Sequence, residues 1–323
     1  MKRKDSLARM GMKLLCTLLG IVFVVMLGGT LLFRQYLNQI QYTPQPAADS
    51  SILEVFSAIP LGFSQKDRIG GANSDLLNVL LIGQDAREGE AQARSDSMIL
   101  CTYNKTTQQL TMTSFLRDLY VPIPGHGSNR INAAYSFGGT SLLQKTIEQN
   151  FNIAIDGSIE VDFTNFSEII DQLGGVEMDL RPDEAQVINH QTGSNLTEGR
   201  QRLDGFQALT YARIRSLDID GDFSRTNRQR KVINALVDSL RESSLADLTP
   251  VIGKILPMLT TDMNRGQLFL YALEVLPNLS KMTIHSQKIP ADGTFTDKTI
   301  DGMSVLVADM NAQQQHLRST LLG

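Results

Sequence analysis

The chain has 323 residues, enough for one large domain or two small ones, and a formal net charge of -4 at pH 7. Five basic residues against Asp5 give the first thirteen positions a charge of +4, so everything after them carries -8. A net-acidic body excludes bulk binding of nucleic acid. Four histidines without ligand spacing exclude a histidine zinc site. Two cysteines, Cys16 in one apolar run and Cys101 in another, exclude a disulfide framework.

Residues 14–33 (LLCTLLGIVFVVMLGGTLLF) carry no charge and have the length of a membrane-spanning helix. Lys2, Arg3, Lys4, Arg9 and Lys13 precede the run, whereas after Arg34 no Lys or Arg occurs until Lys66. That asymmetry predicts a cytoplasmic N-terminus and an extracellular remainder. The apolar core is too long for a cleaved signal peptide, so an uncleaved anchor is expected. The expected organisation is a tail over 1–13, a transmembrane helix over 14–33, an extracellular stalk over 34–74 and a folded domain over 75–323.

Within that domain, LLNVLLI at 76–82 reads as a strand buried on both faces. MILCTY at 98–103 and LTMTSF at 110–115 read as two more, the last pair joined by a hairpin-length connection. An antiparallel meander of the three brings Asp85 and Arg87, Arg94 and Asp96, and Arg117 and Asp118 to one edge. Charges of both signs at one rim suit a metal and an anionic substrate held together. A Pro/Gly loop is expected over 121–128, a short helix over 132–137 and an amphipathic helix over 140–151. A strand at 159–163, a helix at 166–173 and a strand at 177–180 follow, then a polar loop over 191–199. Farther on, helices are expected over 232–242, 250–259 and 265–276, a strand over 281–289, and a closing helix over 303–321. Strands mixed with helices predict an α/β (α+β layered) fold, with a central mixed sheet flanked by helices.

Residues 203–230 are the most informative stretch. Asp204 with Gln207 makes a capping-box pattern for a helix over 205–212. A second helix should begin near Ser224 with an inward stripe of Ile233, Leu236, Val237 and Leu240. Stepping back by fours from Ile233 reaches Gln229 and Arg225, so a guanidinium and an amide lie on a face otherwise apolar. Arg213 and Arg215 are two apart, so both reach one anion only if the chain turns extended after the first helix. Arginine's planar fork suits phosphate oxygens, and phosphoryl transfer is catalysed mainly by positioning and charge.

Several segments resemble the LytR-CpsA-Psr family, in family order from Asn78 to Arg230. They are NVLLIG at 78–83 with Asp85 and Arg87, RSDSM at 94–98, Arg117-Asp118, INAAY at 131–135, LGGV at 173–176, LDG at 203–205, YARIR at 211–215 and residues 222–229. Leu116 stands where the family usually has proline, and Arg130 where it usually has lysine; neither removes a catalytic charge. The resemblance implies a cell-wall ligase moving an undecaprenyl-pyrophosphate-linked glycopolymer, such as wall teichoic acid or capsule, to the 6-hydroxyl of N-acetylmuramic acid in peptidoglycan. It implies Asp85 and Asp96 as magnesium ligands. Arg117, Arg213, Arg215, Asp222, Arg225 and Gln229 are implied as catalytic, with Arg87, Arg94 and Arg228 on the pyrophosphate. Asp222 is the expected base for the acceptor hydroxyl. An apolar cavity for the lipid is expected between the sheet and helices such as 140–151. Hydrolysis of the lipid pyrophosphate, or non-catalytic binding of a wall polymer by a regulatory membrane protein, are the alternatives.

Overall fold

The computed structural model describes residues 41–42, 68–71, 74–85, 94–217, 222–242 and 251–322. The apolar run at 14–33 and most of the expected stalk lie outside them. No helix among the described residues is long and apolar enough to cross a membrane.

A seven-stranded mixed sheet organises the domain. Its strands are β1 (Gln41–Tyr42), β2 (Leu76–Asp85), β3 (Arg94–Asn104), β4 (Gln109–Phe115), β7 (Gly157–Asp162), β10 (Thr260–Thr261) and β11 (Thr283–Ile289), in the order β1-β10-β7-β2-β3-β4-β11. The expected meander is present: β2 pairs antiparallel with β3, and β3 with β4. β7 and β11 add in parallel on either side, to β2 and β4 respectively.

The two faces of the sheet are filled differently. Leu80, Ile82, Met98, Leu100 and Phe115 pack on α1 (Ala133–Phe151), whose Leu143, Ile147 and Phe151 are fully buried. Gly138 and Gly139 break α1 near its start, with Gly139 at φ +62, so the expected division into two helices is correct. The other face holds Leu77 and Tyr103 against Tyr271 and Val275 of a later helix. Leu143, Ile147 and Phe151 lie on the side of α1 where the apolar cavity was expected.

The remaining helices are α2 (Phe163–Gln172), α3 (Pro182–Thr192), α4 (Gly205–Ala212), α5 (Asp222–Glu242), α6 (Arg265–Val275) and α7 (Met310–Leu322). A second core joins α2 through α5 around Ile170, Ile188, Leu203, Tyr211 and Val232. The expected stripe of α5 is one position out: Val232 is its fully buried residue, while Ile233 keeps accessible surface.

Three hairpins replace other expectations. The Pro/Gly loop is in fact β5 (Tyr120–Ile123) and β6 (Gly127–Arg130). The polar loop over 191–199 is bracketed by α3 and by β9 (Gly199–Leu203), which pairs with β8 (Val176–Leu180). The closing helix is too long by one hairpin: β12 (Phe295–Ile300) and β13 (Met303–Ala308) precede α7. Asp301 and Gly302 turn that hairpin with φ of 50 and 76, the left-handed pair a two-residue hairpin turn demands.

Candidate active site

The meander does what its register dictates, bringing the end of β2, the start of β3 and the chain after β4 to one edge. At that edge the pairing steps from Gly83↔Ser97 to Gln84↔Ser95, so Asp96 has no cross-strand partner. Such a bulge re-aims a side chain. The Asp96 carboxylate is thereby offered to two arginines: Oδ1 lies 3.4 Å from Arg117 Nη1 and Oδ2 lies 3.7 Å from Arg215 Nη2. Asp118 continues the chain of charges, 3.6 Å from Arg117 Nε and 3.2 Å from Arg130 Nε.

Arg215 arrives from the helical layer. The capping box of α4 is formed, with Asp204 Oδ1 accepting from Gln207 N–H and Gln207 Oε1 accepting from Asp204 N–H. The helix ends at Ala212, and Arg213 leaves helical geometry at φ -103, ψ 0. Contrary to expectation, the chain does not become extended at Arg213 but continues as a turn in which Ile214 N–H donates to the Tyr211 carbonyl, with Ile214 buried between exposed Arg213 and Arg215. The Arg213 guanidinium lies 4.4 Å over the ring of Phe163, a stacking contact worth about 0.5–1 kcal/mol at an exposed site.

Arg225 completes the cluster from the first turn of α5 and is 4% exposed. Its pKa is lowered to about 10, first by burial and then by Arg117 and Arg215, with Asp96 and Asp118 acting against them. Arg117, Arg130, Arg215 and Arg225 thus gather around the two described carboxylates, Asp96 and Asp118. Separations of 3.4–3.7 Å exceed the roughly 2.7–2.9 Å of a tight charge-assisted hydrogen bond. Asp96 is gathered in but not locked, and its oxygens keep lone pairs for a cation. Magnesium asks for one or two carboxylates plus substrate oxygens, which this donor set fits.

Asp85 closes β2 opposite Arg94 in register. The side chains of these two residues, that of Asp222, and all of Arg87 lie outside the described residues. Gln229 is half-buried one turn beyond Arg225. Arg228 is not in the cluster. Its Nε lies 3.1 Å from Glu184 Oε1 and its Nη1 donates to the Ile214 carbonyl at 3.0 Å. That ion pair is buried and fixes the segment carrying Arg213 and Arg215. Glu184 was missed because α3 was missed; Pro182 followed by Asp183 and Glu184 is a helix-start signature that could have revealed both. Arg130, which stands where the family usually has lysine, ties Asp118 to the β13 carbonyl of Ser304 at 2.6 Å.

On the sheet face opposite α1, Val79, Leu81 and Cys101 are half-buried, as are Ile252, Ile255 and Leu259 of the helical region beyond α5. Burial pushes the Cys101 thiol up to about 12.

At one rim of a mixed α/β sheet, arginines from three separate elements thus gather around the largely buried carboxylate of Asp96. The chain belongs to the LytR_cpsA_psr family, whose model matches residues 48–320. The polyisoprenyl-teichoic acid–peptidoglycan teichoic acid transferase TagU of Enterococcus faecalis is 31% identical over 262 residues, 80% of this chain and 84% of the relative. Among solved structures, TagT bound to LIIa-WTA is 29% identical with a TM-score of 0.65, covering 81% of this chain and 96% of that one. LytR-CPS2A-psr family protein YwtF (TagT) with bound octaprenyl pyrophosphate lipid is 26% identical, with a TM-score of 0.61 over 80% and 95% of the two chains. TagT is a Bacillus subtilis protein.

Proposed function

We propose that this protein transfers an anionic glycopolymer from polyisoprenyl pyrophosphate to the 6-hydroxyl of N-acetylmuramic acid in peptidoglycan. It acts outside a membrane in which residues 14–33 anchor it. The observation that carries the reading is the meeting of Arg117, Arg215 and Arg225 around Asp96. The transferase relative and the lipid-bound structures support it.

In this reading the pyrophosphate lies across the arginine cluster. Arg117, Arg215 and Arg225 offset the charge on the phosphoryl group as it moves, and Arg213 closes from the exposed side. The acceptor oxygen forms a new P–O bond, the bridging P–O bond breaks, and polyisoprenyl phosphate leaves. Asp222, at the start of α5, takes the acceptor proton. Magnesium, held by Asp96 with Asp85, supplies further neutralisation of phosphate oxygens when bound. The polyisoprenyl tail lies against Leu81 and Cys101, on the sheet face opposite α1.

The test uses the full-length chain in detergent with a lipid-linked donor and a peptidoglycan acceptor, reading muropeptide phosphodiesters by mass spectrometry. Transfer that needs magnesium is expected, and Asp96→Ala should abolish it with the melting temperature kept. Polymer released to water in place of acceptor, or full turnover in excess chelator, contradicts the proposal. Leu81→Trp should exclude a co-purifying polyisoprenyl lipid detected in the same way.

A further inference from the structure

Arg230 belongs to the stretch that carries the arginine cluster, yet nothing in that cluster uses it. It sits five residues beyond Arg225, roughly 140° round α5, and so addresses a different space. That space is a cavity of about 490 Å³ between the first turns of α5, the end of β11 and α7, with Lys288, Gln287, Ser224 and His316 in its wall. β11 runs parallel beside β4 and pairs Ile289 with Phe115, two residues before Arg117. The cavity therefore flanks the candidate active site across the N-terminal turns of α5.

Arg230 is 8% exposed. Its Nη1 donates to the Gln287 carbonyl at 3.2 Å, its Nε is buried without an acceptor, and among the described residues no carboxylate pairs with it. Burial lowers its pKa and no acidic neighbour offsets the effect. A buried guanidinium without a counter-ion is costly, and such a charge is commonly held for a ligand. The Gln287 Oε1 is also buried without a donor, while its Nε2 donates to Thr113. Lys288 adds a second cation, 4.3 Å over the Phe223 ring and 2.7 Å from Asp292, whose side chain is largely exposed and free to yield. The N-terminus of a 21-residue helix adds its own positive end. By contrast, the larger groove between Arg200, Arg202 and Arg241 is lined by cations already paired with Glu177 and Asp238.

We propose that the Arg230–Lys288 cavity is a second anion subsite, taking a phosphate group of a phosphodiester-linked polyol or sugar unit. The identification of that phosphate as part of the donor polymer rests on the function proposed above; the site itself does not. Arg230 supplies the charge, Gln287 and Ser224 the hydroxyl contacts, and Phe223 an apolar wall. Its neighbouring position would hold a polymer unit next to the reacting pyrophosphate and so register the chain.

The test is calorimetric binding to the full-length chain in detergent, without acceptor, so that it stands whether or not transfer occurs. The probes are a synthetic glycerol-phosphate trimer, inorganic phosphate and a neutral trisaccharide. Tighter binding of the trimer than of the neutral sugar is expected. Arg230→Gln should weaken it at least tenfold and Lys288→Gln about threefold, and Arg230→Lys should recover part of the loss. Equal dependence of inorganic phosphate on Arg230 upholds the site and assigns it to free phosphate. Lys288 is partly exposed and its replacement leaves the core intact, so that variant carries the test should Arg230→Gln fail to fold. Trimer affinity unchanged in the variants, or no better than the neutral sugar in the wild type, overturns the subsite.

Discussion

Arg225 and Arg228 stand three residues apart on one helix and are equally buried, each 4% exposed. Their surroundings differ in one respect. Arg228 has the buried carboxylate of Glu184 at 3.1 Å, which Arg181 approaches only to 3.5 Å, and a backbone carbonyl besides. Arg225 lies near Asp96 and Asp118 together with Arg117 and Arg215. A buried charge closely paired with a buried carboxylate fixes structure, whereas one set among like charges favours an incoming anion. Sequence spacing treats the two alike; their neighbours separate them.

The comparison breaks most sharply on the structural side. Arg228→Ala leaves the buried Glu184 with only the half-exposed Arg181, whose Nη2 lies 3.5 Å from Oε1, and should cost roughly 3 kcal/mol, the low end for breaking a buried pair. At about 2–4 °C per kcal/mol, the melting temperature should fall by about 10 °C. Replacing both Arg228 and Glu184 by Met should restore most of it. A drop under about 2 °C for the single change would show that the pair is not what holds the segment at Ile214.

On the functional side, Arg225→Met should lower transfer about 10²–10³-fold, the loss that follows removal of one preorganised donor. Its melting temperature should stay level or rise, because a buried charge beside two other guanidiniums has been removed. Calorimetry and turnover on one preparation check both halves.

A smaller effect is expected of Arg215→Lys, whose side chain is 58% exposed. The charge survives but the planar fork does not, so transfer should fall about tenfold with pyrophosphate affinity largely kept. Near-normal transfer would remove Arg215 from the clamp.

The smallest effect is in pH. The pKa of Arg225 is lowered to about 10 in the folded protein, well below the usual arginine range. Lipid-pyrophosphate affinity should therefore weaken as pH rises through about 10. For stability the sign is opposite: the unfolded chain keeps that proton to higher pH, so above about 10 this group's penalty is progressively relieved and the folded state gains. The difference in stability between wild type and Arg225→Met across that range isolates it.

Much of this arrangement could be read before any coordinates. Three apolar runs with short joins require a meander, a meander brings Asp96 and Arg117 to one edge, and Asp204 with Gln207 starts α4 where it starts. The errors have local causes. Residues 303–308 (MSVLVA) resemble the apolar end of a helix until the Asp301-Gly302 turn before them is weighed, and β-branched alternation then favours a strand. The polar α3 has no strong apolar stripe, so periodicity passed over it.

Sequence by itself determined the elements whose signal lies within a dozen residues: strands from apolar runs, helix starts from caps, and the arginine-rich character of 203–230. Only tertiary structure decided which arginine does what. Arg225, Arg228 and Arg230 occupy three directions round one helix, and each role depends on what another part of the chain sets opposite: Asp96 from a bulged strand, Glu184 from α3, or an open cavity beside β11. It likewise decided that α1 packs on one sheet face and Tyr271 and Val275 on the other, because complementary packing depends on how two layers fit, which neither layer's sequence encodes alone.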